Sequence, residues 1–411
     1  MHWRVRLLQC FYFMAFGAAI PFFSVYYKKV LLMPDGSPAF ALIGTVFFLQ
    51  AIMGVVSTPV AGYLADKFKI ENRILTLCAS SVLLGALLIA LPGFGGFSHW
   101  SLSRRVLFIL PGVILNGLFI RPILPLIDTE SLNYLHLRFG DPTGYGKIRL
   151  FGTLGWMVSA CLFGWILSAS NLLSVAILGY GGLFGVLALL AASGVRAKIH
   201  AVRIPWDHLK NDVMFKRFLL FALVISVALS SSFMFTGYFM DDARIGYLLI
   251  GLSLGLGAIL EIPVMFYNRQ LLERIGNRWM IAGGLLISTA KLALFAALAG
   301  RNAIAAIVIA QIALGGVGFA LMISGVVNLI DRRAHEDLRA TYQNLYHLIL
   351  TLGYAFSGLF ASFVIKHLGS RWLMGIDGAI LLAAVIYFLV VVRGHGPLLT
   401  DADYKSRPSS G

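Results

Sequence analysis

About a dozen apolar stretches, each long enough to cross a membrane, follow one another along the chain with only short polar connections between them. At a rise of about 1.5 Å per residue, ~30 Å of hydrocarbon takes roughly 20 apolar residues. The runs Ile74–Leu91, Phe218–Met240, Trp279–Ala299 and Trp372–Val392 meet that length. Hydrophobic residues make up 59% of the chain and charged residues 12%, whereas a soluble domain is typically about a quarter charged. The pattern predicts an all-α, multi-pass membrane protein with twelve transmembrane helices. Their expected positions are 5–27, 40–63, 74–93, 105–126, 149–169, 171–193, 218–240, 244–266, 279–299, 302–330, 342–366 and 371–392. Twelve spans in 411 residues leave no room for a soluble catalytic domain.

A net charge of +15 raises the question of nucleic acid, and the placement of the charges answers it. With the loops assigned alternately to the two sides, 23 of the 33 Lys and Arg residues fall on the side of the N-terminus and 8 on the other, with Arg121 and Lys291 inside spans. Basic residues in short loops collect on the cytoplasmic side. Both termini are therefore expected in the cytoplasm, and the basic balance reports topology rather than a nucleic-acid partner. Cys10, Cys78 and Cys161 all lie in apolar spans, at spacings that suggest neither a disulfide nor a metal site. The first span has a basic start, but its apolar stretch is too long and too aromatic after Pro21 for a cleaved signal peptide.

The segment Arg196–Arg217 is the longest polar interruption past the midpoint. It divides the chain into an N-terminal six-helix bundle (1–195), a cytoplasmic linker (196–217), a C-terminal six-helix bundle (218–393) and a tail (394–411). An internal repeat supports the division. The connections after spans two and eight both end in Asn-Arg, at Asn72-Arg73 and Asn277-Arg278, 205 residues apart. Transporters built from repeated halves bind their substrate between them, near the bilayer midplane.

The connection between spans two and three reads Gly62-Tyr-Leu64-Ala65-Asp66-Lys67, which resembles the signature loop of the major facilitator superfamily. Lys69 stands where that signature has its second glycine, and the basic end is deferred to Arg73. Further fragments resemble the branch that holds phenylpropionate permease-like proteins, nucleoside–proton symporters and galactoside–proton symporters. They are Phe11-Tyr12-Phe13 through Tyr26, Pro122 through Asp128, Tyr145 through Trp156, Glu261-Ile-Pro263, and Ala340 through Tyr346. The resemblance implies two pseudo-symmetric six-helix bundles that rock about a central site. It also implies secondary transport of a small organic solute, coupled to protons, in a bacterial inner membrane. Galactoside symporters carry sugar-binding charges on helices four and five and a His…Glu pair on helix ten. Here span five has no deep arginine, and Gln311 and Asn328 are the main polar side chains of span ten, so a galactoside is disfavoured.

Each ionisable group at membrane depth needs a physical reason. Lys291 follows Arg278, and Asp377 follows Arg371 from the opposite face, at ~20 Å and ~9 Å, so their depths nearly coincide in a ~30 Å slab. Spans nine and twelve are neighbours in the implied fold, and the two residues are expected to form a structural ion pair, with a transport role as the alternative. Such a pair predicts that Asp377→Asn destabilises the protein and that neutralising both partners partly restores it. Glu261, roughly 12 Å from the cytoplasmic face, is a candidate proton-coupling carboxyl or a gate residue paired with loop arginines. Arg121 and Asp128 are seven residues apart, hence on one face of span four. Arg121 either holds an anionic or carbonyl-bearing substrate through its planar fork or pairs with Asp128 or Glu130 to close the cytoplasmic side. Asn116 is placed on the same cavity, and Tyr12 with the other aromatics of spans one and seven either lines it or simply packs. Gln311 completes the substrate-binding candidates. Asp66, Asp128 and His347 join Glu261 as proton-coupling or gate candidates; His347 titrates near neutrality or satisfies a helix end.

No Gly-x-x-x-x-Gly-Lys-Ser/Thr loop is present for ATP drive. A membrane-embedded enzyme acting on lipid or sugar would cluster His, Asp or Cys at an interface, and His99, His335, His347 and His367 lie on separate connections. The expectation is a transporter, not an enzyme, without cofactor or metal. Its partners are a small-molecule substrate, protons and membrane lipid, and it is expected to be a monomer. A lipid- or sugar-modifying enzyme and a non-transporting sensor are the alternatives.

Overall fold

The structure, a computed structural model, describes residues 2–97, 99–139, 145–193, 213–333 and 339–393. Among them twelve helical segments are long and apolar enough to cross a membrane, and the only strand-like pairing is the isolated bridge Leu32–Pro38. The segment expected as a linker lies outside the described residues up to Asp212, and its last residues already belong to the helix Val213–Asp242. The tail at 394–411 also lies outside the described residues.

In the N-terminal half the helices are His2–Val30, Phe40–Phe68, Glu71–Ala90, the pair Leu102–Ile120 and Ile123–Phe139, Tyr145–Ser170, and Ser174–Ala192. In the C-terminal half they are Val213–Asp242, the pair Tyr247–Ile259 and Glu261–Phe266, Asn268–Leu298, Ile304–Arg333, Arg339–Leu368, and Ser370–Arg393. Each half thus supplies six spans. The first packs on the fifth and sixth, the third on the fourth and sixth, the ninth on the tenth and twelfth, and the seventh on the eleventh and twelfth. The halves meet along three seams: second on eleventh, fifth on eighth, and first on seventh. Small residues make these seams close. A methyl group added at Gly251 would lie 2.9 Å from Gly164 Cα and overlap the Ala160 carbonyl, and one added at Gly44 would lie 3.0 Å from the Gly358 carbonyl.

Three irregularities have local causes. The fourth span breaks at Arg121-Pro122, because proline supplies no N–H and clashes with the preceding turn. The eighth breaks after Ile259, one turn before Pro263, for the same reason. Within Asn268–Leu298, Gly276 takes φ 73°, which separates the amphipathic connecting turns from the ninth span; only glycine accepts that conformation without strain.

The seams are not uniform along their length. At the end opposite the termini, Lys28 Nζ lies 2.8 Å from Asp241 Oδ2 and 2.5 Å from Asp242 Oδ1, joining the first span to the seventh. Ser370 Oγ donates to Asp242 Oδ2 at 2.6 Å, Lys29 bonds the Tyr247 hydroxyl, and the rings of Phe47 and Phe235 meet edge to face at 5.5 Å. At the end that carries the termini, polar contacts tie spans of the same half to each other. Arg4 pairs with Glu130 and reaches the Leu190 carbonyl at 2.9 Å, and Arg278 reaches the Leu389 carbonyl at 2.9 Å. Gly251→Val is expected to cost about 1–3 kcal/mol by overpacking of the fifth–eighth seam, enough to open the end opposite the termini. Cross-linking between cysteines placed at Phe47 and Phe235 would then fall about tenfold or more; an unchanged yield would contradict this account of the seam.

Candidate functional site

The breaks in the fourth and eighth spans place charged groups where the halves face each other. Discontinuous helices are tolerated at membrane depth where they line a site or a moving part. Arg121 ends the first part of the fourth span, and its guanidinium lies 4.7 Å from the ring centroid of Tyr354 on the eleventh span. Its stem lies against Gly54 on the second span, where a Cβ would come 3.0 Å from Arg121 Cβ. The side chain therefore crosses from one half to the other. Among the described residues it forms no ion pair, and Asp128 and Glu130 are engaged elsewhere. Asp128 Oδ1 accepts from Gln9 Nε2 at 2.6 Å and from the Tyr145 hydroxyl at 2.7 Å, and Glu130 is held by Arg4. The expected pairing of Arg121 with Asp128 or Glu130 is thus a correction: both carboxylates are taken by partners that the first and fifth spans bring to them.

Glu261 opens the short second part of the eighth span. Its stem packs on the tenth span at Gly316, where a Cβ would lie 2.9 Å from Glu261 Cγ, so the Gly315-Gly316 pair leaves room for it. Among the described residues it forms no salt bridge with the loop arginines expected as its partners; Arg269 pairs with Glu273 at 3.0 Å. Arg149 lies within electrostatic range of Glu261, Asp128 and Tyr12, and Arg121 within range of Tyr12. The Arg149 guanidinium lies 3.7 Å from the ring centroid of Phe13. Gly152, one turn on, lets the fifth span approach the first at this level, since a Cβ there would meet Phe13 and Arg149 Nη1. Tyr12, 6% exposed, contacts Phe13, Phe16 and Phe184. Trp156 stacks on Phe233 with centroids 6.2 Å apart and donates to the Leu254 carbonyl at 3.4 Å.

The other candidates separate from this cluster. Asn116 is fully buried, accepts from Tyr180 at 2.8 Å and donates to the Gly112 carbonyl at 3.0 Å; both of its polar ends are used inside the N-terminal half, so it does not line the junction. Gln311 is buried on the tenth span with Oε1 unpartnered, beside Gly257 and Gly315. His347 is exposed near the start of the eleventh span. The side chain of Asp66 lies outside the described part. Lys291 and Asp377 do not pair: Lys291 Nζ lies over the Phe295 ring at 5.8 Å, and Asp377 Oδ2 meets Ser231 Oγ at 2.6 Å. The reason is the face of the twelfth span. Gly375 and Gly378 turn toward the ninth span, with a Cβ at each in contact with Ala296 and Leu292 at 3.6 and 3.4 Å, which rotates Asp377 toward the seventh.

Arg149, Gln9 and Tyr354 are the residues that sequence reasoning misses. Arg149 counts as a loop charge by its position. Its signal is Gly152, a small residue one turn further on, which allows an arginine at a helix start to lie inward.

Comparison with known proteins bears on the same features. The sequence signature of the MFS_1 like family matches residues 2–375. The maltose permease of Geobacillus stearothermophilus is 27% identical over 387 residues, covering 90% of this chain and 89% of that one. The probable 3-phenylpropionic acid transporter of Escherichia coli (strain K12) is 22% identical over 384 residues, covering 89% and 92%. Among solved structures, the nucleoside transporter NupG superposes with a TM-score of 0.75 at 16% identity, over 95% of this chain and 99% of that one. With the family matched over nearly its whole length, this chain belongs to the MFS_1 like family: it is a multi-pass membrane transporter of the major facilitator superfamily, not an enzyme.

Proposed function

We propose that the chain is a proton-coupled secondary transporter of a small organic anion, a ring-bearing carboxylate, working by alternating access. The observation that carries this reading is the state of the two arginines at the junction. Arg121 and Arg149 lie over the rings of Tyr354 and Phe13, and among the described residues neither forms an ion pair. Two guanidiniums without an ion pair among the described residues offer charge-assisted, fork-shaped recognition to an anion, and the rings around them suit an aromatic or cyclic body. Glu261, on the facing half, is the carboxyl through which a proton would be exchanged, under the field of Arg149. Tyr12 and Gln311 extend the substrate wall; Asp128, held by Gln9 and Tyr145, positions the first, fourth and fifth spans around Arg149.

In this reading the bundles 1–195 and 218–393 are the moving halves, both termini face the cytoplasm of a bacterial inner membrane, and the protein acts as a monomer. The conformation is then the inward-facing one, latched on the outside by Lys28 with Asp241 and Asp242. Lys28→Met removes a partly exposed latch of about 1 kcal/mol. It is expected to raise the labelling of a cysteine at Phe47 by an impermeant reagent about fivefold; unchanged labelling would mean that the latch does not hold the gate. Substrate class is tested by uptake into proteoliposomes under an inward proton gradient. Aromatic carboxylates should accumulate, and neutral sugars and nucleosides should not. Accumulation of a sugar, with no response to carboxylates, would overturn the anion reading.

A further inference from the structure

Asp377, on the twelfth span, lies apart from the junction, yet it is the only acidic residue among the described ones with no exposed surface at all, at 0%. Its Oδ1 has no hydrogen-bond partner. Its Oδ2 lies 2.6 Å from Ser231 Oγ on the seventh span, and the same Ser231 Oγ lies 3.1 Å from the Ala228 carbonyl. A hydroxyl carries one proton, and a backbone carbonyl can only accept. Each contact has a proton of its own when Ser231 donates to Ala228 and accepts from Asp377, with the proton on Asp377 Oδ2; with Asp377 ionised, the one Ser231 proton is shared between two acceptors.

The surroundings agree. The twelfth span packs against the seventh, ninth and eleventh. The charged groups on those elements are turned elsewhere. Lys291 lies over Phe295, Arg278 bonds the Leu389 carbonyl, Asp242 is held by Lys28 and Ser370, and His367 lies against Phe363. Lys216, Arg217, His347 and Lys366 are exposed, as is Arg371 on the twelfth span itself. No cation among the described residues forms an ion pair with Asp377. A buried carboxylate without a counter-charge is far more costly than a neutral acid with one unpartnered carbonyl oxygen.

We propose that Asp377 is a proton-binding site of the C-terminal half, separate from Glu261, and that it holds its proton in this conformation. Its tie to Ser231 and the tie of Ser370 to Asp242 fasten the seventh and twelfth spans at two levels. Loss of the proton leaves the single proton of Ser231 to serve two acceptors and loosens the span that carries the outer latch.

The test is infrared difference spectroscopy of the whole protein in lipid at neutral pH, which needs no substrate and is independent of the transport reading. The carboxylic-acid C=O band of one buried group is expected in the wild type. It should vanish in Asp377→Asn and shift in Ser231→Ala, which keeps the acid and removes its acceptor. Asn keeps a donor toward Ser231, so Asp377→Asn should melt within about 2 °C of the wild type; this reverses the expectation for an ion pair. Overlapping acid-region spectra for the wild type and both variants would overturn the proposal, as would a strong loss of stability in Asp377→Asn.

Discussion

Arg121→Ala is expected to lower uptake at sub-saturating substrate about 100-fold, while the protein still folds and inserts. Two charge-assisted hydrogen bonds from a planar fork are together worth about 3 kcal/mol, and nothing in the described fold needs the guanidinium for an ion pair. Arg121→Lys should recover little of the loss. Lysine brings a point charge, without the fork or the flat face that lies over Tyr354. Binding of a labelled carboxylate to the purified protein, alongside uptake, checks this. Affinity within about threefold of the wild type in Arg121→Ala would remove Arg121 from the substrate site.

The second large effect is expected at Glu261. Glu261→Gln keeps the shape of the side chain and its packing on Gly316 but cannot release a proton. Gradient-driven accumulation should fall to the level of simple equilibration, while exchange of labelled for unlabelled substrate continues at a comparable rate. One proton per turnover and one pH unit set about a tenfold accumulation in the wild type, so the loss is of that size for each unit imposed. Equal loss of exchange and accumulation would make Glu261 a binding or structural residue instead.

The spans and their order were legible because the bilayer demands long apolar helices, and no other property of the chain produces twelve of them. The spans at 105–126 and 244–266 were expected to be continuous, and the expected pairing of Arg121 with Asp128 or Glu130 failed because Gln9, Tyr145 and Arg4, on the first and fifth spans, hold those carboxylates. Depth arithmetic put Lys291 and Asp377 at one level. It could not show that Gly375 and Gly378 take the face toward the ninth span and turn Asp377 to Ser231. Asn116 was legible as a polar residue at depth, yet its partner Tyr180 lies 64 residues away, a contact that only the tertiary fold creates. Arg149 was hidden by its place at a helix start, where a basic residue ordinarily faces water.

The most direct test of proton-coupled anion transport uses purified protein in liposomes with a trapped pH dye. An aromatic carboxylate is added outside, and protein-free vesicles correct for passive entry of the neutral acid. The account predicts substrate-triggered acidification inside that exceeds this background in the wild type and is absent in Glu261→Gln. Substrate entry without acidification above background, or acidification of equal size in Glu261→Gln, would contradict it.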